Sequence, residues 1–156
     1  MRTEVALGLL VIASCKGTDA PRALGNETGA ITITEKAAPT SPPLASKSFF
    51  RVDAVPEQPA CRANEPCEAR VVLTALGDYH VNDNYPFKLI ADVSPDVKVD
   101  GTGSFSPDGK RGTLALPFRA SKSGTAKIAG TFRLSVCNDD NCQIEAAKIA
   151  FDVAVR

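Results

Sequence analysis

Ile128-Ala129-Gly130-Thr131-Phe132-Arg133-Leu134-Ser135-Val136-Cys137-Asn138-Asp139-Asp140-Asn141-Cys142 decides the fold. Ile128, Gly130, Phe132, Leu134 and Val136 alternate with more polar neighbours. That two-residue period belongs to a strand with one buried face. Four Asn and Asp residues follow, and such side chains bond nearby backbone and favour turns. Beyond Cys142, Ile149, Phe151, Val153 and Val155 alternate again. The segment therefore reads as a β-hairpin with a cysteine at the end of each strand.

Working outward, Phe50, Val52 and Ala54 mark a first strand, and Val71, Leu73 and Ala75 a second. Phe87 to Val93, Val97 to Val99 and Thr113 to Phe118 supply three more. Turn residues separate them: Leu76-Gly77-Asp78, Ser94-Pro95-Asp96, Ser106-Pro107-Asp108-Gly109 and Ser121-Lys122-Ser123-Gly124. Short strands punctuated this way point to an all-β sandwich or barrel. No ten-residue segment has an amphipathic helical period. Glu145-Ala146-Ala147-Lys148 is helix-forming but too short, and it sits between two strand patterns.

The N-terminus reads differently. Met1-Arg2-Thr3-Glu4 precedes an apolar run from Val5 to Ile12, then Ala13-Ser14-Cys15. The run is far shorter than the roughly 20 residues a membrane-spanning helix needs. A charged start, a short apolar run and small residues mark a secretory signal peptide. Ile12-Ala13-Ser14-Cys15 further resembles the lipobox of bacterial lipoproteins. That resemblance implies cleavage after residue 14, a diacylglycerol thioether on Cys15 and acylation of its new amino group. Several acyl chains anchor stably where a single chain binds marginally. Lys16 is not the Asp that holds enterobacterial lipoproteins at the inner membrane, so an outer-membrane, periplasm-facing location is expected. The other reading is an ordinary signal peptide ending in a buried Cys.

Residues 15–47 read as the lipidated Cys and a disordered linker. Lys16 to Lys47 is rich in Ala, Thr, Pro, Ser and Gly and has no aromatic residue. Such composition buries too little apolar surface to offset chain entropy. A flexible chain of that length spans about 30 Å. Residues 48–156 remain, enough for one domain with one core.

Charge is uninformative: Lys plus Arg number 18 and Asp plus Glu number 18. No basic stripe points to nucleic acid. Asp92, Asp96 and Asp100 lack the spacing of a calcium loop. His80 is the one histidine, without a motif partner for nucleophilic catalysis; a lone loop histidine is commonly plain polar surface.

Five cysteines become four if Cys15 carries lipid, and an even set in an oxidising compartment implies disulfides. Cys137 and Cys142 close the hairpin, a spacing compatible with redox activity and equally with a staple. Cys61 and Cys67 enclose a short loop ahead of the second strand and read as a structural disulfide worth about 2 kcal/mol. A zinc site built from all four is a third reading, against which stand the export signal and the wide spacings. No metal or other cofactor is expected.

From about Glu68 to Val155 the chain resembles the N-terminal periplasmic domain of the thiol:disulfide interchange protein DsbD and its free-standing relatives. The resemblance rests on Thr113-Leu114-Ala115-Leu116-Pro117-Phe118, Gly124-Thr125-Ala126, Phe132-Arg133-Leu134-Ser135-Val136-Cys137 with Cys142, and Gly77-Asp78-Tyr79-His80-Val81-Asn82. It implies an immunoglobulin-like β-sandwich of about seven to nine antiparallel strands. It also implies a redox pair at Cys137 and Cys142, passing electrons with a thioredoxin-like partner. Phe105 would fall on a loop that caps the pair, and Tyr79 and His80 would lie near it. The chain departs from that pattern in three places. Four residues separate the cysteines where well-known members have five, the aromatic-proline stretch after the second Cys is replaced by Gln143-Ile144-Glu145, and Cys61 and Cys67 are additional. A non-enzymatic binding or adaptor lipoprotein with two structural disulfides is the competing expectation.

Overall fold

A computed structural model describes residues 41–55 and 58–156. The signal segment, Cys15 and the linker up to residue 40 lie outside the described residues. Within them the chain forms ten strands and no helix: β1 Ala45–Lys47, β2 Phe50–Ala54, β3 Cys67–Ala75, β4 His80–Val81, β5 Lys88–Ala91, β6 Val97–Val99, β7 Ser104–Asp108, β8 Arg111–Ala120, β9 Gly124–Cys137 and β10 Cys142–Val155.

The strands make two antiparallel sheets. One runs β1-β2-β3-β8-β6, with β7 also on β8; the other runs β10-β9-β4, with β5 also on β9. The free side of β8 is thus shared end to end by β6 and β7, and that of β9 by β4 and β5. The all-β architecture expected from the alternation, left open there between sandwich and barrel, is observed as two antiparallel sheets around one core.

Every predicted strand is present. Alternation does its work most clearly in β9, where Ala126, Ile128, Gly130, Phe132, Leu134 and Val136 are all buried. They meet Val52, Val71, Leu73, Leu114, Leu116 and Phe118 of the opposite sheet in one core. Full burial of such a side chain is worth about 1.5–3 kcal/mol. Gly130 is required by space: a Cβ there would lie 2.4 Å from the Ile90 carbonyl oxygen, where β5 closes on β9.

Three differences from the sequence reading have local causes. The third strand is shorter than Phe87 to Val93; it spans Lys88–Ala91, and Val93 is fully exposed in the loop beyond. β1, β4 and β7 are additional. β1 and β4 have three and two residues, too few for a period to be visible, while β7 runs through Ser106-Pro107-Asp108, residues read as part of a turn. β1 also lies within the stretch read as linker: Ala45 pairs with Val52 and Lys47 with Phe50. Ordered pairing therefore begins before Ser48.

The long edge of β10 carries Glu145, Lys148 and Asp152, charges that discourage pairing with another chain. Lys47 crosses from β1 to bond Glu145 at 2.5 Å. At the far end of β10, Val155 bridges to Cys61.

Candidate functional site

Cys137 and Cys142 form a disulfide with Cα atoms 4.0 Å apart. They are register partners at the mouth of the β9–β10 hairpin. The next pair outward is joined by the Asn138 amide donating to the Asn141 carbonyl at 2.9 Å. Hydrogen-bonded and non-hydrogen-bonded pairs alternate along an antiparallel ladder. Cys137 and Cys142 therefore occupy a non-hydrogen-bonded position, the one where side chains approach most closely.

The turn is held by one side chain. Asn138 Oδ1 accepts from the backbone amides of Asp140 at 3.2 Å and Asn141 at 2.9 Å, while its Nδ2 donates to Asp78 Oδ2 at 3.0 Å. The Asn/Asp-rich sequence thus makes the turn through its first residue and ties it to the β3–β4 turn.

The disulfide lies on the outward face of its sheet. Cys137 has the odd parity of Arg133 and Ser135, opposite to the core-facing Phe132, Leu134 and Val136. Cys137 is nevertheless buried, at 7% exposure, without belonging to the core cluster. The reason is position: β9 is central, with β4 on one side and β10 on the other. Cys142 starts the edge strand and is exposed. The two sulfurs therefore belong to residues of very different accessibility.

Across this face the register sets short rows. His80, Cys137 and Cys142 form the first, since His80 pairs with Cys137 in β4–β9. In the second, Ser135 pairs with Ile144 on one side and is bonded by Asn82 on the other. The Asn82 amide donates to the Ser135 carbonyl and Asn82 Nδ2 to Ser135 Oγ, both at 3.2 Å. Ser135 is the one buried polar residue among the described residues, and this bond satisfies it. Ile144, two residues beyond Cys142, is 67% exposed. Sequence reasoning missed Ser135 and Asn82. An outward-parity Ser carries no signal that flanking strands will bury it.

His80 is the register partner of Cys137. Tyr79 precedes it, but its ring packs on Phe49 with centroids 5.5 Å apart and belongs to the rim of the core. Phe105 does not cap the disulfide. It stacks on Phe87 at 3.9 Å and lies 6.2 Å from Phe132, between the sheets. Its ring occupies the space a Cβ on Gly112 would need, 2.1 Å from Phe105 Cζ. Alternation explains the placement: Phe105 pairs with the inward Leu114.

The second disulfide joins Cys61 and Cys67, Cα atoms 5.3 Å apart. Its loop is stitched to both sheets. The Arg156 amide donates to the Cys61 carbonyl, the Ala63 amide to the Arg156 carbonyl, and the Asn64 amide to the Ala120 carbonyl. Both cysteines are buried. With all four sulfurs bonded in pairs, the four-cysteine zinc arrangement is not formed. Among the described residues no group of His, Cys, Asp and Glu converges as metal ligands.

Fold and site together define an all-β two-sheet domain with one interior disulfide and one disulfide on an outer sheet face. No protein-family model matches the chain, and comparison with curated proteins and with solved structures finds no match.

Proposed function

We propose that this chain is an envelope lipoprotein, held to a membrane through acylated Cys15, whose domain exchanges electrons through Cys137–Cys142. The observation that carries the reading is the asymmetry of that bridge: it sits outside the core, with Cys142 exposed on an edge strand and Cys137 buried on a central one. Disulfide exchange needs access to one sulfur along its line of attack. Here that sulfur is Cys142 Sγ.

The partner is a thioredoxin-like protein with two thiols. Its thiolate attacks Cys142 Sγ and forms a mixed disulfide. The Sγ–Sγ bond breaks, and its electron pair stays on Cys137 Sγ. The partner's second thiolate then displaces Cys142, leaving the partner oxidised and this pair reduced; the reverse sequence passes the electrons back. The lipobox supports the anchor, and Lys16 supports the outer membrane.

Two measurements test the proposal. A Cys137→Ala variant, left with Cys142 free, should be trapped as a mixed disulfide with such a partner. A reduction potential below about −300 mV would mark the bridge as static and sink the idea. For the anchor, Cys15→Ser should release the protein from the membrane fraction; retention there contradicts it.

The second reading, an adaptor whose bridges are both staples, is favoured by Phe105. The resemblance implied an aromatic shield over the pair, and that ring is committed to the core instead.

A further inference from the structure

The one histidine of the chain is the cross-strand neighbour of the buried cysteine. His80 pairs in register with Cys137, and such partners have Cβ atoms about 4.5–5.5 Å apart on the same face. His80 is exposed while Cys137 is shielded, so the cross-strand neighbour of the buried cysteine on the β4 side is a solvent-accessible imidazole. On the β10 side stands Cys142. When the bridge opens at Cys142, the new thiolate on Cys137 has His80 as its neighbour.

The elements around His80 carry charges of both signs. Asp78 is on the β3–β4 turn, and Asn138 ties it to the β9–β10 turn, which carries Asp139 and Asp140. The end of β7 adds Asp108 and the turn after it Lys110, and the Gly109 carbonyl of that turn accepts from the Val81 amide. The Lys110 ammonium is engaged with the Gly77 carbonyl. Tyr79 beside His80 turns toward Phe49, and Asp83 follows on the loop after β4. Arg133 lies two residues beyond Ser135 on the same face.

We infer that His80 stabilises the Cys137 thiolate released when the disulfide opens and thereby speeds exchange through Cys137–Cys142. The inference rests on the thiol-exchange reading above. A better-stabilised thiolate is a better leaving group, and a neighbouring cation stabilises it by charge. No proton need move: the Sγ–Sγ electron pair settles on Cys137 beside the His80 ring. In the reverse step the same thiolate attacks the mixed disulfide at Cys142.

The test uses the full chain with dithiothreitol as the dithiol. The rate of bridge opening is read after acid quench by alkylation of the peptide carrying Cys137 and Cys142. His80→Gln replaces the ring with a neutral polar side chain, and His80→Lys replaces it with a cation. Rates are compared at one pH, so the dithiol's own ionisation cancels in their ratio. The native protein should open about two to three times faster than His80→Gln, and His80→Lys should recover most of that difference. Equal native and His80→Gln rates, or a loss that His80→Lys does not recover, would reduce His80 to a structural neighbour and overturn the inference, while leaving the exchange reading intact. A bridge that resists the dithiol in all three proteins overturns the exchange reading, and the inference with it.

Discussion

Asn138 donates to the Asp78 carboxylate at 3.0 Å, joining the turn that carries the outer disulfide to the turn that precedes His80. Its Oδ1 simultaneously accepts two turn amides. One short side chain thus sets the geometry on both sides of Cys137. Asn138→Ala should destabilise the domain by about 1 kcal/mol, the net worth of exposed hydrogen bonds of this kind. It should also speed opening of Cys137–Cys142 by a dithiol. Urea unfolding and the opening rate check the two effects, and an unchanged unfolding midpoint would mean that solvent replaces Asn138 at no cost.

Phe105 and Gly112 provide a sharper packing test, since the ring lies where a side chain on Gly112 would go. Gly112→Ala should cost about 1–3 kcal/mol through overpacking. In a Phe105→Ala background the same change should cost less than half as much, because the obstructing ring is gone. A double-mutant cycle measures this coupling. Additive losses would show that the clash is relieved elsewhere.

The fold was legible where a strand is long and half-buried. β9 and β10 span fourteen residues each, enough for alternation to show which face is inside. β4, with two residues, offers no period at all, yet it is the strand that sets His80 beside Cys137. The candidate site was legible in part for the same reason. The paired cysteines announce themselves by the turn between them. Their unequal burial depends on which strand is central, and that is a property of long-range pairing. Phe105 shows the limit of resemblance: it implied a cap, but the parity of β7 turns the ring into the core.

Cys61–Cys67 should behave as a staple. Its loop is bonded to the carbonyls of Ala120 and Arg156, and Cys61 also bridges Val155. Replacing both cysteines with Ala should lower stability by about 2 kcal/mol on the chain-entropy account. The C-terminal end of β10 should then lose hydrogen-exchange protection first. The opening rate of Cys137–Cys142 should be unaffected, since the two bridges lie at opposite ends of β10. A changed opening rate would show that the bridges are coupled.

The start of the folded domain can be tested at β1. Composition alone placed it at Ser48, but Ala45–Lys47 pair with β2, the Leu44 amide donates to the Val52 carbonyl, and Lys47 bonds Glu145. Leu44 and Ala45 are partly buried against the core. The ion pair is partly exposed and contributes at most about 1 kcal/mol, and the partly buried Leu44 adds about 1 kcal/mol. A chain beginning at Ser48 should therefore be less stable than one beginning at Ser41 by about 1–2 kcal/mol. It should also expose β2 as a sheet edge and self-associate more readily. Urea midpoints and sedimentation of the two chains check this. Equal midpoints would return Ala45–Lys47 to the tether and move the boundary back to Ser48.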